Sequence, residues 1–104
     1  MSEIRNHLIT LLFTQENKPV AYGHLENVGL ETWLGLCIAP AQKRNGLGML
    51  MMEALIQKAN QFGISTISLT VDKVNEAAIN LYEKNGFIKV KETDTFFKYQ
   101  LQLI

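Results

Sequence analysis

Gln42-Lys43-Arg44-Asn45-Gly46-Leu47-Gly48, followed by an apolar-striped segment that reaches about Phe62, decides how this chain is read. Two glycines stand one residue apart, two cations precede them, and the segment behind has helical spacing. The first-turn amides of a helix have no partners inside it, and the macrodipole adds partial positive charge there. Glycine permits a tight bend and a close approach of phosphate to the backbone. Lys43 and Arg44 add full charges beside it. The stretch reads as an anion site at a helix start. A plain strand-to-helix turn carrying solvated charges is the simpler alternative.

Two familiar phosphate loops do not fit. A Walker loop needs four residues between its glycines and a Gly-Lys-Ser/Thr ending, whereas Met49-Leu50 follows Gly48. A dinucleotide fingerprint wants glycine where Met51 stands and an acidic residue at a strand end about 20 residues on. Pro40 instead follows the apolar run Trp33-Leu34-Gly35-Leu36-Cys37-Ile38. Strand, proline, basic Gly-x-Gly loop and long helix together resemble motif A of the GNAT superfamily of acyl-CoA-dependent N-acetyltransferases. The loop signature of that family is Gln/Arg-x-x-Gly-x-Gly/Ala. Lys43 stands at its first position, keeping the charge and losing the fork geometry of arginine. The resemblance implies that Lys43, Arg44, Asn45, Gly46, Leu47 and Gly48 hold the pyrophosphate of coenzyme A.

At 104 residues the chain is expected to form one domain, 1–104, with a single core. Ten basic residues balance ten acidic ones, which argues against a broad nucleic-acid or anionic-membrane surface. The basic pair before the glycines is therefore a local feature. The one cysteine, Cys37, falls in a strand expected to be buried, so intramolecular disulfides and cysteine metal sites are excluded. No signal-peptide pattern and no membrane-length apolar run stands out, and a cytoplasmic protein is the expectation.

Elsewhere, His7–Thr14 and Val20–Leu25 predict a hairpin around turn chemistry at Gln15–Pro19. Thr32–Ile38 predicts a central strand whose Gly35 marks a bulge or a close approach to the backbone. In the helix, Leu47, Leu50, Met51, Ala54, Leu55, Lys58, Ala59 and Phe62 share one face, and the methionines at 49, 51 and 52 read as packing. Gly63 ends the helix. Ser65–Val71 follows as a strand parallel to the third, then a helix over Glu76–Asn85, then a hairpin of Phe87–Val90 with Thr95–Leu103.

The stretch from Asn75 to Phe87, with Ala78, Tyr82 and Gly86-Phe87 in place, resembles GNAT motif B. The resemblance implies an α/β (α+β) fold: a mixed sheet in the order β-β-β-α-β-α-β-β with two helices packed on it. It implies that the parallel strands splay and that pantetheine bonds the backbone at Cys37 and Ile38, with Asn75 also in contact. Taken alone, Asn75 is a helix cap and Tyr82 a core aromatic. The first strand and helix pair of a complete family member have no counterpart, and the sheet edge left open invites a homodimer.

The activity implied is transfer of acetyl from acetyl-CoA to a small amine, with Tyr82 protonating the departing thiolate as general acid. Amides near Cys37 and Ile38 stabilise the oxyanion. An alkyl ammonium must lose a proton first; Glu26, Glu31 and His24 are the candidates to receive it, each with an ordinary surface or strand-end role as its alternative. Trp33 reads as packing, and Asp72 with Lys73 as either a turn or the cleft mouth. A non-catalytic acyl-CoA-binding module and a dimerising fragment of the same fold are the competing functions.

Overall fold

Runs rich in β-branched, aromatic and other apolar residues in the first third of the chain form three antiparallel strands: β1 (Arg5–Gln15), β2 (Lys18–Val28) and β3 (Glu31–Ile38). They belong to a computed structural model that describes residues 5–38 and 46–103. Glu16 and Asn17 have φ of 52° and 66°, the paired left-handed conformation whose twist suits a two-residue hairpin. The turn is therefore tighter than its sequence suggested, and Pro19 lies inside β2, beside the register shift between Phe13 and Thr14 where a missing donor is tolerated.

Helix α1 (Leu47–Gln61) returns the chain to β4 (Thr66–Asp72), parallel to β3. Gly63, at φ 73°, closes α1, and the Ile64 amide donates to the Ala59 carbonyl across the reversal. Helix α2 (Glu76–Lys84) then leads into the hairpin of β5 (Ile88–Glu92) and β6 (Phe96–Gln102). The sheet order is β1-β2-β3-β4-β6-β5, which puts β3 and β4 at the centre; the central place of the third strand and its parallel pairing with the next are as expected.

Both helices lie on one face. Leu25, Leu34, Ile67, Leu69 and Tyr99 of the sheet are buried there with Met51, Met52, Leu55 and Ala59 of α1. A Cβ at Gly23 would stand 2.8 Å from both Leu55 Cδ1 and Met51 Sδ, so α1 sits directly on that glycine. Gly23→Val is expected to push the helix off β2 at a cost of about 1–3 kcal/mol. For a domain of this size that lowers Tm by roughly 4–8 °C per kcal/mol in thermal unfolding; an unchanged Tm would contradict this seating.

The helix periodicity was only partly informative. Leu50 and Phe62, expected on the buried face, are 53% and 50% exposed, while Met52 is fully buried. Apolar residues fill 49 to 52, so spacing alone does not say where the buried arc ends; the sheet meets the 51-55-59 line and its 52 flank.

α2 is held by Tyr99, whose hydroxyl donates to Glu83 Oε2 at 2.6 Å. Burial first, then that hydrogen bond and the Glu83 charge, push the Tyr99 phenol up to about 12. The folded state thus binds this proton more tightly than the unfolded chain does. The resulting stability is fully present below the ordinary phenol range and is lost as pH rises through about 12. Urea midpoints measured from pH 9 to 12 are expected to fall with pH, and less steeply in Tyr99→Phe; equal slopes would count against this account.

The opposite face of β1–β3 carries Leu12, Tyr22, His24, Trp33 and Cys37, and among the described residues no helix covers it.

Candidate active site

β3 and β4 are in register at Thr32 with Ile67 and at Trp33 with Ser68, and the parallel ladder ends there. Beyond it Leu34 to Ile38 continue along β2 alone, so backbone groups on the other side of this half-strand face an opening. The opening is a cleft of about 420 Å³. Its walls are Leu36, Cys37 and Ile38 from β3, Gly46, Gly48 and Met49 from the start of α1, and residues of α2 that include Leu81, Tyr82 and Lys84.

Local chemistry sets each wall. Gly46 is the N-terminal cap of α1 at φ 74° and ψ 7°, a left-handed conformation that only glycine adopts cheaply, and it provides no side-chain cap to the helix amides. Gly48 serves a different purpose: a Cβ there would meet Leu81 Cδ2 at 3.2 Å, so its bare backbone lets α2 approach α1. Asn85 reinforces the approach, donating from Nδ2 to the Leu81 carbonyl at 2.8 Å and to Met49 Sδ at 3.4 Å. Asn75 caps α2 by accepting the Ala78 amide on Oδ1 at 3.2 Å, and the residue also lines the cleft. Tyr82 is buried against Phe87, with ring centroids 5.9 Å apart. Burial raises its phenol above the ordinary range, so the hydroxyl on the cleft wall keeps its proton through neutral pH.

The fold thus gathers Cys37, Ile38, Gly46, Gly48, Asn75 and Tyr82 around one cleft. Leu47 begins α1 beside them without lining it. Lys43, Arg44 and Asn45 lie outside the described residues. The two carboxylates proposed as bases are not brought in. Glu31 starts β3, six residues and about 20 Å of strand from Cys37, and its Oε1 accepts from Lys98 Nζ at 3.0 Å. Glu26 pairs with Trp33, also outside the lining.

One other expectation is corrected, and two are decided between their stated alternatives. Cys37 is exposed instead of buried, because β4 has already diverged and no described helix covers its face. The register of β2 with β3 runs through Gly35 without a bulge; what approaches that glycine is the His24 side chain. Lys73 belongs to a turn, its amide donating to the Thr95 carbonyl and its ammonium meeting Glu92 at 2.6 Å. Trp33 packs under Lys98, whose Nζ is 5.1 Å from the ring centroid. Lys84 and Met49 were missed: nothing in a lone charge or a methionine within an apolar run distinguishes a cleft wall from a helix surface.

Residues 2–87 match the family model described as the Acetyltransferase (GNAT) family. The chain belongs to the GNAT acetyltransferase family. Among curated relatives of this GNAT chain, the [ribosomal protein bS18]-alanine N-acetyltransferase of Escherichia coli K12 is 37% identical over 75 residues, which cover 71% of this chain and 51% of that protein. The chain therefore spans about half the length of that relative. The crystal structure of the ribosomal-protein-S18-alanine N-acetyltransferase from Escherichia coli superposes with a TM-score of 0.81 at 30% identity, over 93% of this chain and 69% of that one. The Campylobacter jejuni N-acetyltransferase PseH, solved in complex with acetyl coenzyme A, shares the fold with a TM-score of 0.73 at 24% identity, over 91% of this chain and 67% of that one.

Proposed function

We propose that this GNAT chain carries the acetyl-CoA site of an N-acetyltransferase that moves an acetyl group to a primary amine by direct attack. The observation that carries the reading is the cleft where β3 leaves β4, walled by a glycine-started helix and by the Tyr82 phenol. In this reading Lys43, Arg44 and Asn45, with the amides of Gly46, Leu47 and Gly48, hold the pyrophosphate, and Lys84 adds a cation at the cleft. The freed backbone near Cys37 and Ile38 takes pantetheine and the thioester oxygen, and Asn75 contributes the amide nitrogen its cap leaves over. Tyr82 gives its proton to the departing thiolate. The PseH complex with acetyl coenzyme A supports the choice of cosubstrate. The bS18-alanine relatives support a peptide α-amine as the first acceptor to try.

We place the reaction in the cytoplasm, where acetyl-CoA is made. No described helix is long and apolar enough to cross a membrane. β1 forms one edge of the sheet, with no charged side chain from Leu8 to Gln15, whereas the opposite edge, β5, carries Lys89, Lys91 and Glu92. An uncharged edge of that length suits pairing with a second copy, a homodimer.

A second reading, acyl-CoA binding without turnover, is favoured by one observation: no carboxylate lines the cleft among the described residues. Thermal unfolding with and without acetyl-CoA, followed by a thiol-release assay with tri-alanine, separates the two. At one hundred times Kd a ligand of the folded state adds about 2.7 kcal/mol, a Tm rise of roughly 10 °C or more. A rise with thiol release supports the enzyme, and a rise without it the binding module. No rise at millimolar acetyl-CoA sinks both.

A further inference from the structure

The helix-free face of the sheet carries a polar atom that the described residues leave without a partner. His24 lies opposite Gly35 in the register of β2 with β3. A Cβ at Gly35 would stand 2.1 Å from His24 Cε1, 2.7 Å from Nδ1 and 2.8 Å from Nε2, so the edge of the imidazole rests on bare glycine backbone. The Tyr22 ring flanks it, with centroids 5.6 Å apart. Nδ1 is buried there with no hydrogen-bond partner among the described residues. Such an atom loses its hydration and gains no bond in return, and native folds rarely keep one without a use.

Its place along β3 suggests the use. Gly35 immediately precedes Leu36, the first β3 residue of the cleft wall. Tyr22, on the same face as His24, pairs with Cys37 of that wall. His24 and Cys37 are therefore diagonal neighbours across the ladder, with backbones about 7–8 Å apart. Glu26 is one same-face pair farther away, and Glu31 is at the far end with Lys98. Of the imidazole and carboxylate groups on this face, His24 stands nearest the wall where the thioester is proposed to lie.

We propose that His24 is a catalytic residue that accepts the proton the acceptor ammonium must lose, a role that rests on the acetyl-CoA-dependent reading above. The acceptor enters over Gly35 from the helix-free face, lifts the imidazole edge from the strand and supplies the partner that Nδ1 lacks. The ammonium gives one proton to the imidazole, and the freed lone pair forms the C–N bond at the thioester carbonyl. The C–S bond breaks, and the thiolate takes a proton from the Tyr82 hydroxyl. The second proton lost by the attacking nitrogen restores that hydroxyl, and the imidazole releases its own to solvent. The sum is an ammonium and acetyl-CoA giving an amide, free coenzyme A and one proton.

The test compares two acceptors at pH 7.5: tri-alanine, whose α-ammonium must be deprotonated, and hydroxylamine, which is already neutral. Thiol release is measured for wild type, His24→Ala, His24→Asn and Gly35→Ala, with acetyl-CoA affinity determined separately by calorimetry. His24→Ala is expected to lower kcat with tri-alanine by about 100-fold or more, with hydroxylamine far less affected and acetyl-CoA affinity unchanged. His24→Asn keeps a polar atom near the place of Nδ1 without a usable basic nitrogen, so it is expected to lower the tri-alanine KM relative to the alanine variant without restoring kcat. Gly35→Ala keeps the imidazole but displaces it from the strand, and is expected to depress the tri-alanine to hydroxylamine ratio. Equal loss with both acceptors, or full kcat in His24→Asn, overturns the role of His24 while leaving the acetyltransferase reading in place. A wild type that binds acetyl-CoA and acetylates neither acceptor overturns both.

Discussion

Tyr82→Phe is expected to lower kcat by at least about 100-fold, the lower end of what a positioned general acid contributes. The lower end applies because a thiolate leaves more readily than an alkoxide or amide would. The phenol is buried beside Phe87 in a residue that lines the cleft, and burial raises its pKa, so the hydroxyl holds its proton through neutral pH. Removing the oxygen leaves the ring packing intact, so the Tm without ligand should stay within the small range typical of isosteric changes. Acetyl-CoA affinity should also hold, since the loss falls on a transition-state interaction and not on ground-state binding. Steady-state kinetics with tri-alanine, set beside calorimetric acetyl-CoA binding, reads all three quantities. An undiminished kcat would return Tyr82 to the role of a core aromatic.

Gly46→Glu is expected to weaken acetyl-CoA binding by 100-fold or more, since like charges brought together at an interface cost several kcal/mol. The substitution is informative because the fold should accept it. No described atom lies within 4 Å of a Cβ built at Gly46, so no described residue stands in the way of the side chain. The left-handed backbone at φ 74° adds strain of about 1–2 kcal/mol for any residue with a Cβ. A carboxylate at a helix N-terminus recovers part of this through the macrodipole. What it cannot share is the place of a pyrophosphate. Gly46→Ala carries the same strain without the charge and is the control: it should lose stability similarly and keep most of its affinity for acetyl-CoA. Equal losses of affinity in the two variants would mean that backbone geometry, not anion competition, is what matters there.

The order of elements and the two glycine-closed helices were legible because they rest on local signals. Gly63 and Gly86 have positive φ, and Asn75 caps α2 through its own side chain. The cleft was legible through the resemblance to the two family motifs, which implied a common site for Cys37, Gly46, Gly48, Asn75 and Tyr82 although Cys37 and Tyr82 are 45 positions apart in the chain. What stayed hidden depends on where strands stop pairing and which face is covered. Cys37 looked like core because its strand is apolar, yet exposure was decided by the divergence of β4. Gly35 announced a close approach without naming His24, since cross-strand register is set by the hairpin turn many residues away. Glu31 looked as eligible as any acid until Lys98, from the last strand, was brought beside it.

The short β3–β4 ladder has a mechanical consequence. It divides the sheet into two antiparallel halves, β1-β2-β3 and β4-β6-β5, joined by a brief seam and braced by α1. A load that separates them finds its compliance at Thr32 to Trp33, not within either half. On the function proposed above, a pantetheine arm laid along the freed edge of β3 would act as a keystone, closing the arch where polypeptide alone leaves a gap. The tightness of the seam would then belong to the cosubstrate as much as to the chain, and each exchange of acetyl-CoA for coenzyme A would unlock and relock the same joint.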